Sequence, residues 1–357
     1  MNGHLITVDG AEHEVTAPAV RQLIDSSTRF WLNLSDLDPD GVGLLRDTFG
    51  FHPLAVEDAE HFGQRPKIDT YDEFSLFVVY GATGGGQLSE VHCFYTANYL
   101  VTIHRDPCPD LRDLAERIRR GAGPRPDHVM LLYRVLDTLV DSYFPVLSHL
   151  DDDIDDLEDE ILQQPTEQQM GQLFDMKRAL IGLRKVVTPQ RDMFATMLAG
   201  GIDLAGMTPD AERYFRDLYD HLIRISDLVD SYRDLLSGAL DTHLSTVSNR
   251  LNVVMKQLTI IATVFLPMSF LTGFFGQNFG WMINKISSLP VFVAVGIGSQ
   301  VLTVVVLMVF FKRRGWLSQD ATVPAGAPSR RPRLSADRRW KVLHQVHPAQ
   351  PAEEPAA

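Results

Sequence analysis

The stretch Leu258-Thr259-Ile260-Ile261-Ala262-Thr263-Val264-Phe265-Leu266-Pro267-Met268-Ser269-Phe270-Leu271-Thr272-Gly273-Phe274-Phe275-Gly276 contains no charged side chain. It matches the roughly 20 residues a helix needs to cross a bilayer's hydrocarbon core. A second apolar segment, Leu289 to Phe311, follows a connecting loop, residues 277–288, that opens Gln277-Asn278-Phe279-Gly280-Trp281. Two such segments in succession predict a membrane hairpin attached to a large soluble body. No Asp or Glu occurs between Asp241 and Asp320. Anything that passes between these helices therefore meets neutral oxygens instead of carboxylates.

The flanking charges predict an orientation. Arg250 and Lys256 precede the first span, Lys285 is the one basic residue of the loop, and Lys312, Arg313 and Arg314 follow the second span. The positive-inside tendency then puts the loop outside and both termini in the cytosol, with the plasma (inner) membrane as the expected location. Met1 to Ile24 has no basic region followed by an apolar run, so no secretory signal is expected there and the body is expected to stay cytosolic. The chain carries a net charge of −13 although residues 312–357 hold nine basic and four acidic residues, so everything before that tail is more negative still. Such a body does not seek nucleic acid; its charge serves either to gather cations or simply to keep it soluble. The tail, rich in Pro, Ala and Arg, is expected to be disordered, either as a basic stop-transfer flank or resting on anionic membrane lipid. Cys93 and Cys108 have no metal-site spacing, which argues against zinc or a disulfide.

Residues 1–127 alternate strand and helix signals and predict a small α/β domain. A hairpin is expected from His4–Val8 through Asp9-Gly10 to His13–Thr16, with further strands at Phe30–Leu34, Ser75–Tyr80, Val91–Tyr95 and Tyr99–His104. Residues 128–257 are almost wholly helical in pattern, with breaks at Pro165 and Gly200-Gly201. Asp151 to Glu160 places eight acids in ten residues, with Ile154, Leu157, Ile161 and Leu162 as a narrow apolar stripe. That pattern suits either a solvated helix face or a cation-gathering surface. Thr208-Pro209-Asp210 predicts a helix start, and the pattern runs on through the first span to Gly276. At ~1.5 Å per residue this is a rod of about 100 Å.

Heptad spacing along the first span selects Asn252, Met255, Thr259, Ala262, Leu266, Ser269, Gly273 and Gly276, a face that is small or polar for most of its length. Small residues alone allow close helix packing in lipid. Lining a pore would require several copies in a ring, with oxygens of Asn252, Thr259 and Ser269 facing the lumen and Met255, Leu258 and Leu266 as apolar constrictions. Neutral oxygens suit Mg²⁺, which keeps several of its waters, better than a bare transition metal that wants His or Cys.

Together these residues resemble the CorA family of divalent-cation transporters, a two-span group marked by a Gly-X-Asn loop. The resemblance runs through Ser248-Asn249-Arg250-Leu251-Asn252-Val253-Val254-Met255-Lys256, the first span, and Gly276-Gln277-Asn278. It extends to His52-Pro53-Leu54, Glu57-Asp58, Arg65-Pro66-Lys67 and the acidic helix at Asp151 to Glu160. It implies a homopentameric funnel whose pore is lined by the first span, with Asn278 holding a hydrated ion at the outer mouth and Gly276 and Gln277 supporting the loop. It also implies intracellular Mg²⁺ sites, for which the matching acids are Asp58, Asp217 and Asp141. Gln277 replaces the usual Met, which adds a carboxamide at the mouth, and Trp281-Met282-Ile283-Asn284-Lys285-Ile286 replaces an acidic outer loop, which weakens electrostatic capture of cations.

The expectation is a gated, passive conduit for Mg²⁺, with Co²⁺ or Ni²⁺ as further substrates, driven by membrane potential and closed by intracellular Mg²⁺. Mg²⁺ is thus both cargo and regulator, and no other cofactor is implied. There is no P-loop and no catalytic constellation, since His104-Arg105-Asp106 has no nucleophile beside it; an enzyme is not expected. Two rivals remain, a ZntB-like zinc transporter coupled to protons and a non-conducting membrane scaffold.

Overall fold

The computed structural model describes residues 1–121, 128–277, 280, 284 and 288–317. Among the described residues its first compact unit comprises Met1–Leu157 and Glu167–Gly238; a second contains Glu158–Thr166 and the described residues of 239–317.

Within the first unit a seven-stranded sheet has the order β2-β1-β3-β7-β6-β5-β4. Its strands are β1 (Gly3–Thr7), β2 (Glu12–His13), β3 (Phe30–Ser35), β4 (Lys67–Thr70), β5 (Ser75–Ala82), β6 (Leu88–Tyr95) and β7 (Tyr99–His104). All neighbours are antiparallel except β3 and β7, which run parallel with Phe30 opposite Tyr99 and Ser35 opposite His104. A buried polar chain fixes that register: Trp31 Nε1 donates to Thr102 Oγ1 at 2.9 Å, and Thr102 donates to Asn33 Oδ1 at 2.7 Å. A slip by one residue would strand these groups in an apolar core.

The sheet departs from the sequence reading in two of its strands. The return arm of the first hairpin stops at His13 because Thr16 turns the chain into helix α1 (Ala17–Asp25), accepting the Ala19 N–H as its cap. Strand β4 was not foreseen, since Lys-Ile-Asp-Thr has no apolar alternation; it is an edge strand, recognisable only from its pairing with β5.

Because β4 begins with Lys67 opposite Val78, the outer edge of β5 beyond that point lacks a strand among the described residues. Side chains from the helices take its place. Gln190 accepts the Tyr80 N–H, Tyr143 donates to the Tyr80 carbonyl at 3.0 Å, and Ser142 Oγ accepts the Ala82 N–H at 2.7 Å. Each replaces a ladder bond worth ~1 kcal/mol and binds helices to sheet.

The sheet's helical partners are α2 (Pro39–Gly43), α3 (Pro53–Glu60) and α4 (Pro109–Arg119), followed by α5 (His128–Asp141), α6 (Tyr143–Gln163) and α7 (Glu167–Thr196). The acidic stretch forms part of α6, where Ile154, Leu157 and Ile161 are buried while Leu162 is exposed, so Leu162 does not belong to the stripe. A π-helical turn, Met197–Gly201, ends α7 at Gly200, whose φ of 81° requires glycine. Helix α8 runs Pro209–Phe275 without interruption. In the second unit, Leu289–Val291 leads through a π-helical segment, Phe292–Ile297, into α9 (Gly298–Arg313).

Candidate functional site

Two helices each present a pair of polar residues one turn apart. Spacing i, i+4 stacks Asp137 over Asp141 on α5, and Asp217 over His221 on α8. Across the gap, His221 Nδ1 lies 3.3 Å from Asp141 Oδ1, and His221 Nε2 lies 3.9 Å from Asp217 Oδ2. One ligand atom each from Asp137, Asp141 and His221 fall within 4.8 Å of one another. Phe144 closes one side, its ring edge-on to His221 with centroids 5.6 Å apart.

Asp137 is half-buried, and this burial together with the negative charge of Asp141 pushes its carboxyl above the ordinary aspartate range; a hydrogen bond from Tyr133 and the nearby His221 work the other way. Burial and Asp137 in turn push the Tyr133 hydroxyl up. Three carboxylates around one imidazole repel each other unless a cation sits among them. The donor set fits Mg²⁺ through its carboxylate oxygens, and the imidazole adds a nitrogen that Co²⁺ or Zn²⁺ also accepts.

Of the acids singled out from the sequence, Asp141 and Asp217 thus flank the same imidazole. Asp58 does not join them. Lys67 Nζ sits 2.6 Å from Asp58 Oδ2, Gln64 Nε2 donates to Asp58 Oδ1 at 2.9 Å, and the same Lys67 also reaches Asp69 at 2.7 Å. The lysine already neutralises that carboxylate within the chain. Asp137 and His221 were missed, although each lies four residues from a named acid, a spacing that could have pointed to them.

Along the membrane segment, Asn252, Met255, Leu258, Thr259, Ala262, Leu266, Ser269 and Gly273 are all exposed in the single chain, Leu258 at 65% and Leu266 at 74%. Partial burial falls on another helical stripe, Ile260, Val264, Pro267, Leu271 and Phe275. The two spans touch through polar atoms, Gln300 Nε2 donating to Thr272 Oγ1 at 3.2 Å. Pro267, lacking an N–H, leaves the Thr263 carbonyl without its helical partner. The helix ends at Phe275; Gly276 N–H still bonds the Thr272 carbonyl at 2.9 Å, and Gln277 N–H reaches the Phe274 carbonyl at 3.3 Å. Asn278 and most of the loop lie outside the described residues, as does the tail beyond 317.

Residues 26–313 match the family model described as "CorA-like Mg2+ transporter protein". The chain is 37% identical over 305 residues to the cobalt/magnesium transport protein CorA of Thermotoga maritima, covering 82% of this chain and 85% of that protein. It is 30% identical over 264 residues to the zinc transport protein ZntB of an Enterobacter species, covering 72% and 79%. Among solved structures, the CorA magnesium transporter of Methanocaldococcus jannaschii superposes with a TM-score of 0.74 at 20% identity, over 89% of this chain and 99% of that one.

Proposed function

The chain belongs to the CorA-like Mg²⁺ transporter family, and from that premise we propose that it admits Mg²⁺, with Co²⁺ as a further substrate, through a pore closed by cytosolic Mg²⁺. It is a membrane protein with a cytosolic N-terminal domain and two C-terminal apolar helices, and it transports divalent cations. The observation that carries the finer proposal is the pairing of an acid-free membrane hairpin with an exposed stripe of small and polar residues on its first helix.

That stripe encloses nothing in one chain, so the proposed pore is a ring of five copies with Asn252, Thr259, Ser269 and Gly273 turned inward. Neutral oxygens hold Mg²⁺ through its water shell, and no dehydration step is needed. Met255, Leu258 and Leu266 form the apolar narrowings that close by dewetting. Asn278 is assigned the outer selectivity position, with Gly276 and Gln277 carrying the turn that presents it. An inside-negative potential supplies about 4.6 kcal/mol per 100 mV for each divalent ion that enters. The cluster of Asp137, Asp141, Asp217 and His221 is assigned the sensing role, because an ion bound there relieves repulsion among acids of α5 and α8. Asp58, committed to Lys67, is given a part in it only if that lysine is displaced.

Flux into proteoliposomes loaded with a Mg²⁺-sensitive dye under an inside-negative potential tests this directly. Mg²⁺ entry that internal Mg²⁺ suppresses is expected, and Asn278→Ala should abolish it while leaving assembly intact. Wild-type flux through that variant would remove Asn278 from its assigned role. The ZntB likeness supports a second reading, which zinc entry rising with an inward proton gradient, without Mg²⁺ entry, would establish. Silence toward both ions would favour a scaffold.

A further inference from the structure

The first compact unit holds a cavity of about 1110 Å³ that shares no residue with the acid cluster. Its walls come from loop 61–66, from α7 around Arg184, and from α8 at Val229 and Arg233. Four cations line it, Arg65, Arg184, Lys185 and Arg233, in a chain whose net charge is −13. Arg184 and Arg233 share one carboxylate, Asp230, at 3.5 and 3.6 Å, and Arg233 also reaches Asp234 at 3.2 Å. Among the described residues neither Arg65 nor Lys185 is paired with an acid. The cavity therefore carries positive charge that the chain itself does not neutralise.

The loop that bears Arg65 is held from beneath. Glu90, buried to 5% exposure, accepts the Gly63 and Gln64 N–H groups at 2.5 and 3.2 Å and the Tyr80 hydroxyl at 2.9 Å, with His92 Nε2 2.8 Å away. The guanidinium of Arg105 lies 4.6 Å from the centre of the Phe62 ring and fixes it in place. Such clamping means that a ligand meets a loop already ordered. Beside the cations stands an apolar wall of Phe62, Pro66 and Ile181, the last exposed although it is a large hydrophobic residue.

Arginine forks and a lysine facing one space suit phosphate oxygens, since guanidinium binds them two at a time. The volume is far beyond the needs of a single phosphate ion and is of the size of small-molecule and cofactor sites. An apolar wall next to the cations calls for a ligand with a flat, weakly polar end. We propose that this cavity is a binding site for a nucleoside polyphosphate, its phosphates among Arg65, Arg184, Lys185 and Arg233 and its base against Phe62, Pro66 and Ile181. The site uses side chains instead of a glycine-rich backbone cradle, which is why no nucleotide motif is visible in the sequence. It stands independently of which ion the protein transports.

The test is calorimetric titration of the purified full-length protein in detergent with ATP, in EDTA so that no divalent ion reaches the acid cluster. Saturable binding is expected, weakened at least about tenfold by Arg184→Ala combined with Lys185→Ala and weakened likewise by Arg65→Ala, which sits on a different segment. Adenosine, which lacks the phosphates, and inorganic phosphate, which lacks the base, should each bind at least about tenfold more weakly than ATP. Unchanged thermal melting of the variants shows that they remain folded, and a variant that fails to fold leaves the other to decide. Absence of saturable ATP binding at about 1 mM, wild-type affinity in both variants, or inorganic phosphate binding as tightly as ATP would each overturn the assignment.

Discussion

Asp137 holds a half-buried carboxylate against Asp141, partly offset by the Tyr133 hydroxyl and the His221 imidazole. A group raised in this way weakens the fold at neutral pH: its penalty is absent below the aspartate value of the unfolded chain, grows as pH rises through the displaced folded value, and is complete above it. Asp137→Asn is therefore expected to raise Tm by a few degrees in EDTA while shrinking the further rise produced by Mg²⁺, as read by thermal melts at neutral pH. A cation held at 100 times its dissociation constant adds about 2.7 kcal/mol to the wild type, which gives the assay its range. His104 has the opposite sign. Burial lowers its imidazole below the ordinary histidine value of 6.5, and its Nδ1 donates to the Asp106 carbonyl at 2.8 Å. Stability supplied by the neutral ring is present above 6.5 and is lost as pH falls through that value toward the folded one. His104→Gln should flatten the acid limb of the stability curve below about pH 6.5, measured by urea midpoints. Asp141 and Asp217 were legible as acids at matching positions of a family pattern. Their union around His221 was not, because two helices about eighty residues apart in sequence meet only after packing, and no local spacing records it.

Helices were the most legible elements. The start of α8 at Pro209 follows from Thr208, whose hydroxyl oxygen accepts the Ala211 N–H at 3.1 Å, and the break at Gly200 from its positive φ. The π-helical turns were not legible, since a single extra residue per turn leaves the apolar pattern nearly unchanged. Strand β4 escaped for a related reason: its neighbour β5 defines it, and its own residues do not. Within α8, Gly238 has open space where a Cβ would point. Gly238→Ala is expected to stabilise an isolated chain by about 0.5–1 kcal/mol through lower unfolded-state entropy. Denaturation of the assembled protein checks what lies on that side, since a loss of stability there would mean that a neighbouring copy approaches the glycine. Gly273 is likewise open in the chain. Gly273→Leu should leave folding intact and cut ion flux at least about tenfold, because a leucine projecting from the proposed lumen face lengthens the apolar barrier.

At the scale of the molecule, the division into a cytosolic α/β and helical body and a membrane hairpin was legible from charge and hydropathy, while the number of copies was not, because one chain carries no closed pore. Light scattering in detergent should return five times the mass of one chain, and a monomer would leave Met255, Leu258 and Leu266 with nothing to narrow. One further consequence belongs to the sheet. Strand β7 lies between β3 and β6, so the strand nearest the middle is synthesised last. About 70 residues separate Phe30 from its parallel partner Tyr99, which at roughly 5–20 residues per second delays the pairing by several seconds during translation. Until then the β1–β3 hairpin and the β4–β6 meander are two separate ribbons with bare inner edges. The arrival of Tyr99–His104 joins them in a single closing event, and a nascent chain stalled before that strand would present the ribosome's surroundings with two sticky half-sheets in place of one finished domain.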